Sequence, residues 1–209
     1  MSRADRIKWD ERYRAGAYAD REYPTPLLAE WEQQISPGRA LDVASGAGRN
    51  SIFLAAKGWQ VDAVDVSPVG LTRAQEKAAA QNLDIRWIEA DLEQEPGAAL
   101  PPGPYDLIVM VRYVNAALYP HLLERLAPGG VFLCEEHLVS AEDVIGPANV
   151  AYRMQHNELL DAVTRKKGQG DRLLHYREGI VTDPDGRKAA LAQLVLRRTG
   201  AAAESQPIS

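Results

Sequence analysis

The sequence predicts an α/β domain built on a doubly wound, mostly parallel sheet, and three observations carry that prediction. Apolar runs of strand length alternate with helical stretches from about residue 39 onward. The links between them are short and rich in glycine and proline. The first apolar run leads into Ser45-Gly46-Ala47-Gly48 and then directly into a helical stretch. Alternation of this kind needs crossover connections, which are almost always right-handed and place helices on both faces of the sheet.

Each element has its own signal. Residues 39–44 (RALDVA) form a short apolar run ending in small residues, and the helix over 50–57 stops at Gly58, a natural left-handed C-terminal cap. Residues 60–66 (QVDAVDV) alternate like a strand. Ser67 and Pro68 follow as N-cap and first helical residue of an Ala-rich helix reaching about Gln81. Residues 84–89 (DIRWIE) give a third strand, followed by a Pro- and Gly-rich loop. Tyr105–Val111 (YDLIVMV) is a near-continuous apolar run, expected of a strand covered on both faces. A helix over 120–126 follows, and Pro128-Gly129-Gly130 turns the chain into a strand over 131–135. In the last third, a helix over 157–163 has Asn157 as its cap. Runs over 172–182 and 187–196 flank Asp183-Pro184-Asp185-Gly186, a turn that makes them an antiparallel hairpin on a sheet edge. The expectation is a single domain over 1–198, with 1–36 as an amino-terminal helical lid segment and a frayed tail over 199–209.

Composition narrows the class. With 209 residues, 45% hydrophobic and 25% charged, the chain is neither disordered nor fibrous, and it needs no disulfide or structural metal. Its 24 Lys and Arg against 29 Asp and Glu leave a net charge of −5, which gives no general pull toward nucleic acid or anionic membranes. Cys134 is alone and pairs with nothing. No apolar run nears the roughly 18 residues of a membrane span. The opening MSRADRIKWDERYRAG is too charged for a signal peptide, so the expected location is the cytoplasm.

The first βα turn concentrates the chemistry. Small residues there let backbone approach a ligand closely, and the next helix aims its amides at the same place. The dinucleotide pattern G-x-G-x-x-G starts at Gly46, but Ser51 replaces its third glycine. Asp42, near the end of the first strand, would repel a diphosphate and welcome a cationic ligand; it would equally serve to cap the turn. Asp65 ends the second strand, where an acidic residue accepts hydrogen bonds from ribose hydroxyls. Asp91 closes the third strand, placed to hold an adenine amino group with Leu92 near the ring.

The run ALDVASGAGRNSIFLAAKGWQVDAVDVS, then EADLE, YDLIVMVRYVN and LAPGGVFLCEEH, resembles the class I S-adenosylmethionine-dependent methyltransferases. WDERYRAGAY and GAGRNS resemble their small-molecule branch around the tellurite-resistance (TehB-like) enzymes. The resemblance implies a Rossmann-like seven-stranded sheet, ordered 3-2-1-4-5-7-6 with the seventh strand antiparallel, and S-adenosylmethionine as cofactor with S-adenosylhomocysteine as product. It implies that Ala44, Ser45 and Gly46 present backbone to the methionine part, with Ala44 standing where many relatives have glycine. Asp65 then binds ribose with Val66 beside the adenine, and Ala90, Asp91 and Leu92 form the adenine end. Residues 110–113, Val111 among them, border the methyl group. Arg49 and Asn50 match an arginine-asparagine pair of that branch, and Arg12 is placed to meet the methionine carboxylate.

No Ser-His-Asp or metal constellation is present, and methyl transfer needs none, because its main requirements are alignment and desolvation. Glu135-Glu136-His137 makes a poor ligand set, since adjacent strand residues point to opposite faces. Candidate substrate-side or catalytic residues are Tyr113, His137, His175 and Arg177, with Asn115, Tyr176 and Arg187 nearby. Trp9, Tyr13, Tyr18 and Tyr23 either roof the site or pack an amino-terminal helix on the domain, and a lid would do both. The expected activity is methyl transfer to a small-molecule acceptor: a thiol, a chalcogen oxyanion such as tellurite, or a small metabolite. The rivals are a nicotinamide-dependent Rossmann oxidoreductase and a non-catalytic cofactor-binding module.

Overall fold

The structure, a computed structural model, describes residues 3–93, 97–168 and 170–199. The tail expected from 199 onward therefore lies, Thr199 apart, outside the described residues. Two helices, α1 (Arg3–Arg14) and α2 (Pro26–Glu32), precede the sheet. Then β1 (Arg39–Val43), α3 (Arg49–Ala56), β2 (Gln60–Asp65), α4 (Pro68–Ala79), β3 (Ile85–Glu89) and β4 (Tyr105–Val111) alternate as the sequence predicts. A short 3-10 turn, α5 (Tyr119–Glu124), β5 (Leu126–His137), a second 3-10 turn and α6 (Glu158–Thr164) follow, and β6 (Arg172–Thr182) and β7 (Lys188–Arg197) close the fold.

The seven strands lie in the order β3-β2-β1-β4-β5-β7-β6. The pairs from β3 to β5 are parallel, and β7 runs antiparallel to both β5 and β6. Register brings the carboxyl ends of five strands to one level: Val43 lies beside Val64 and Met110, Asp65 beside Glu89, and Val111 beside Glu135. Ligands of open α/β sheets bind at that edge, near the point where strand order reverses.

Both faces are covered, which is why β4 reads as unbroken apolar sequence. Ile108, Met110, Phe132 and Cys134 pack with Tyr119, Leu122 and Leu159 of α5 and α6. Leu107, Val109, Val131 and Leu133 pack on the other side with Leu28 and Leu54 of α2 and α3. Local signals hold at the helix ends. Ser67 Oγ accepts from the Gly70 amide at 3.1 Å with Pro68 in the first turn, and Gly58 ends α3 at φ +90°.

Two elements differ from expectation. The strand predicted to begin after Pro128-Gly129-Gly130 begins at Leu126, because those residues form a bulge within it: Tyr105 pairs with Leu126, yet Leu107 pairs with Val131. The bulge is held by the far end of β7, with the Gly129 amide on the Arg198 carbonyl at 2.9 Å. A Cβ on Gly130 would lie 2.8 Å from the Tyr105 carbonyl oxygen, so only glycine lets the strands close up there. Asn157 occupies the N-cap of α6 but makes no side-chain cap; it sits at φ +64° and its amide donates to Glu178 Oε1 at 2.6 Å.

Ala44, immediately after β1, has φ +55°. A left-handed backbone costs an L-residue roughly 1–2 kcal/mol, which explains the preference for glycine at such a position. Ala44→Gly removes that strain and returns about 0.4–1 kcal/mol to the unfolded chain's entropy, so the net expectation is a gain of up to about 1 kcal/mol. Urea unfolding of the two proteins measures it; equal midpoints would mean that the turn holds alanine without strain.

Candidate active site

The site begins with a carboxylate spent on backbone. Asp65, buried at the end of β2, accepts from the Gly46 amide through Oδ2 and from the Ser67 amide through Oδ1, both at 2.8 Å. Burial pushes its carboxyl above the usual range while those amides pull it back. These bonds fix the first turn against the start of α4. Asp42 lies on the other side of the turn, its Oδ2 accepting from Ser51 Oγ at 2.6 Å, and burial raises its pKa to about 6.

The amino-terminal helix closes over this turn. The Tyr13 ring rests on two glycines: a Cβ at Gly46 would lie 2.5 Å from the Tyr13 hydroxyl, and one at Gly70 would lie 2.9 Å from the ring. Ser67 Oγ donates to Asp10 Oδ1 at 2.5 Å while capping α4, and Arg73 reaches the Tyr13 carbonyl at 3.0 Å. Trp9, Tyr13 and Tyr18 form a cluster with ring centroids 5.9 to 6.5 Å apart.

Two adjoining cavities open at the strand ends, sharing Trp9, Tyr18, Arg21, Arg112 and Tyr113 as walls. The smaller, about 130 Å³, is lined by the first turn, with Asp42, Ala44, Ser45, Gly46, Asn50 and Asp65 among its walls. Ser45 Oγ is buried without a hydrogen-bond partner in the described structure. The larger cavity, about 460 Å³, extends past His137 to Gly146, Pro147 and Tyr152 on one side and to Lys8 and Arg12 of α1 on the other.

A buried ionic knot forms the wall between them. Arg112 sits at φ +58° just after β4 and donates to both Asp183 oxygens at 2.9 and 2.7 Å and to Glu135 Oε1 at 3.2 Å. Gln193 Nε2 occupies the other Glu135 oxygen at 2.8 Å. Arg21 approaches Asp183 at 3.8 Å and Asp185 at 3.6 Å. His137 stands beside this cluster, where burial and then Arg112, Arg153 and Arg21 lower its pKa to about 3. Its imidazole is neutral near neutral pH, and Nδ1 is buried without a partner.

The sequence-predicted residues divide accordingly. Asp42, Ala44, Ser45, Gly46, Asn50, Asp65, Val111 and Tyr113 line the smaller cavity, and Tyr113 and His137 line the larger. Arg12 lines the larger cavity and not the smaller one. Val66 and Leu92 are buried, and Asp91 Oδ1 accepts from the Glu93 amide at 3.0 Å, in the register beyond Asp65. Arg49 and Asn50 spend their side chains on the segment after α1, reaching the Tyr23 carbonyl, Thr25 Oγ1 and the Thr25 amide. His175 and Arg177 line neither cavity; His175 packs on Trp31, with ring centroids 6.0 Å apart. Sequence reasoning missed Lys8, Arg21 and Asp183 as cavity-wall residues, and it took Arg112 only as part of the 110–113 stretch. Arg112 carried a usable signal, an arginine ending an otherwise apolar run, whereas Asp183 read only as a turn residue.

Residues 40–130 match the family model of the methyltransferase domain, over the segment that builds β1 to β4 and the first turn. That segment is a methyltransferase domain, and the fold around it is the one shared by solved S-adenosylmethionine-dependent methyltransferases. Over 101 residues the chain is 37% identical to the ribosomal protein L11 methyltransferase of Thermus thermophilus, covering 47% of its own length and 38% of that protein. It is 30% identical over 176 residues to hemagglutinin 1 of Eikenella corrodens, covering 78% of its own length and 55% of that one. The chain thus spans about a third to about half of the curated relatives it matches first. Among solved structures, TehB from Haemophilus influenzae is similar in fold, with a TM-score of 0.67 at 24% identity over 91% of this chain and 67% of that one.

The knot lends itself to a double-mutant cycle. Removing one member of a buried ion pair costs about 3–5 kcal/mol because the other charge is stranded. Arg112→Met is expected to lose that much in chemical denaturation, and Arg112→Met with Asp183→Asn clearly less than the sum of the single losses. Additive losses would mean that the two side chains act independently.

Proposed function

We propose that the chain transfers a methyl group from S-adenosylmethionine to a small-molecule acceptor, with the cofactor against the first turn and the acceptor in the larger cavity. The observation that carries this is the pair of adjoining cavities at the strand ends, one walled by the first turn and the other by Tyr113 and His137. The residues present fit the cofactor. The buried Ser45 hydroxyl faces the smaller cavity with no hydrogen-bond partner among the described residues, and the Gly46 backbone lines the same wall. When bound, the cofactor supplies a methyl group on a sulfonium, which a nucleophile displaces in line.

The residues of the chain then divide the remaining work. Asp65, oriented by two amides, holds the ribose hydroxyls with its remaining lone pairs. Ala44, Ser45 and Gly46 receive the methionine part, and Asp42 attracts its positive charge. Val66, Ala90, Asp91 and Leu92 take the adenine end. Trp9, Tyr13 and Tyr18 exclude water from the reacting centre, which strengthens the electrostatics inside. His137 presents a neutral imidazole that accepts a hydrogen bond from an acceptor arriving protonated; with a pKa of about 3 it is a weak base. Arg12, from its position, belongs to the acceptor's side. Helix α1 and Tyr152 flank the larger cavity, and its volume of about 460 Å³ favours a small molecule over a protein or nucleic acid. The cytoplasm is the location that goes with this reading.

Calorimetry is expected to show binding of S-adenosylhomocysteine and not of NAD. Asp65→Ala should weaken that binding by about 1.5–3 kcal/mol, the range for hydrogen bonds to a charged group. Preferential NAD binding would sink the cofactor assignment, and unchanged affinity in a folded Asp65→Ala protein would remove Asp65 from it.

Asp42 gives the binding a pH dependence. Its folded pKa of about 6 lies above the 3.8 of an unperturbed aspartate, so the fold takes up a proton between these values that the unfolded chain does not. Stability is therefore expected to fall as pH rises through that window, whereas attraction for a cationic cofactor appears over the same rise. Affinity for S-adenosylmethionine should weaken as pH drops through about 6, and Asp42→Asn should abolish the step. A profile identical in the two proteins would assign the step to another group.

A further inference from the structure

Resting on the methyltransferase reading, we propose that the acceptor is an organic molecule bearing an oxyanionic group, a carboxylate or a phosphate. That group is held by Lys8, Arg12 and Arg21, with the nucleophile directed toward His137.

The charge lining the larger cavity is the first ground. In a protein of net charge −5, the cavity is lined by Lys8, Arg12, Arg21, Arg112 and Arg187 against a single acid, Glu93. Arg112 and Arg187 are held by carboxylates behind the wall, at 2.7 Å to Asp183 and 2.5 Å to Asp185. Lys8 and Arg12 have no such partner among the described residues; they lie over aromatic faces, 5.7 Å from the Tyr152 centroid and 4.9 Å from that of Trp9. Such faces orient a cation without neutralising it.

The second ground is independent of exposed charge. Arg21 is 8% exposed, and its Nε is buried with no hydrogen-bond partner among the described residues, because its contacts to Asp183 and Asp185 are 3.6 Å or longer. A guanidinium so enclosed and incompletely bonded, at the wall of both cavities, is a donor waiting for an acceptor.

Volume sets the size of the ligand. The two adjoining cavities, about 130 and 460 Å³, seat the cofactor and the acceptor together, and what the cofactor leaves of the larger one still exceeds the few waters' worth, about 30 Å³ each, that an inorganic oxyanion fills. The oxyanion therefore accounts for one end of the acceptor and the organic remainder fills the cavity.

The chemistry of transfer agrees with an anion. The acceptor's X–H nucleophile forms the X–C bond as the C–S bond breaks with its electron pair left on sulfur, and the proton leaves to water along a hydrogen bond to the His137 imidazole. Burial, and then Arg112, Arg153 and Arg21, oppose an imidazolium there. An anionic group on Lys8, Arg12 and Arg21 offsets part of that positive field and leaves the effect of burial in place.

The test uses the full chain with S-adenosylhomocysteine present and four calorimetric probes: benzoate, phenyl phosphate, neutral benzamide and inorganic phosphate. Benzoate or phenyl phosphate is expected to bind about tenfold or more tightly than benzamide, a difference of ~1.4 kcal/mol. That binding should weaken with salt and drop severalfold in Lys8→Met, which leaves affinity for S-adenosylhomocysteine unchanged. Benzamide binding as well as benzoate overturns the anion assignment, as does failure of both organic anions to bind. Inorganic phosphate binding as tightly as phenyl phosphate overturns the organic part, leaving a small oxyanion. Failure of S-adenosylhomocysteine itself to bind overturns the methyltransferase reading underneath instead.

Discussion

The structure turns on a buried arginine that ends the central strand. Arg112 leaves β4 in a left-handed backbone conformation and is met by Asp183 from the β6–β7 turn and Glu135 from β5. Three parts of the chain distant in sequence are thereby brought to one point at the sheet edge. Such a cluster adds little net stability over an apolar one of equal shape, because removing the ions from water costs about as much as pairing them gains. What it fixes is geometry. Cavity walls built on the ends of strands and on loops stay in place because each carboxylate has one position in which it is paired.

A second constraint works through glycine. Tyr13 lies so close to Gly46 and Gly70 that neither position has room for a side chain, and the same ring stands over the turn that Asp65 holds by two amides. Helix α1 is thus registered to the first turn by shape and to α4 by the Asp10–Ser67 bond. Any displacement of the first turn is felt by the aromatic cluster, and through Trp9 and Tyr18 by the wall shared between the two cavities. The amino-terminal segment read as a lid packs on the turn it covers and is bonded to the start of α4, and it supplies three of the five cations that line the farther cavity.

Where the sequence was legible, the reason was local. Strand β4 and the hairpin strand β6 were readable to the residue because uninterrupted apolar runs and an Asp-Pro-Asp-Gly turn bound them within a few positions. Ser67 and Gly58 acted as cap and stop through contacts no farther than a helical turn. The first-turn residues were found together because the chain itself holds them together. Gly129 misled because its conformation answers to Arg198, far along the chain, and Asn157 because its amide serves Glu178. The wall of the larger cavity was legible only in part. Tyr113 and His137 end strands and were found there, whereas Lys8, Arg21 and Asp183 meet them only through the packing of the amino-terminal segment and the sheet order, and His175 was placed among them by its nearness to the chain's end rather than by its strand face.

The antiparallel insertion of β7 between β5 and β6 has a consequence for how the protein comes into being. A chain synthesised from its amino terminus presents Arg112 and Glu135 long before Asp183 and Gln193 exist to meet them. Until then the emerging molecule has a five-stranded parallel sheet whose last strand, β5, is an open edge, with a cation and a carboxylate at its rim. Contacts of such long sequence separation form late and slowly. The first turn, with Asp65, Ser67 and Gly70 in place, is complete by residue 70 and belongs to the early part of that sequence of events, and the ionic wall to its last. A nascent chain would therefore own a finished first turn before it owns the wall that stands beside it.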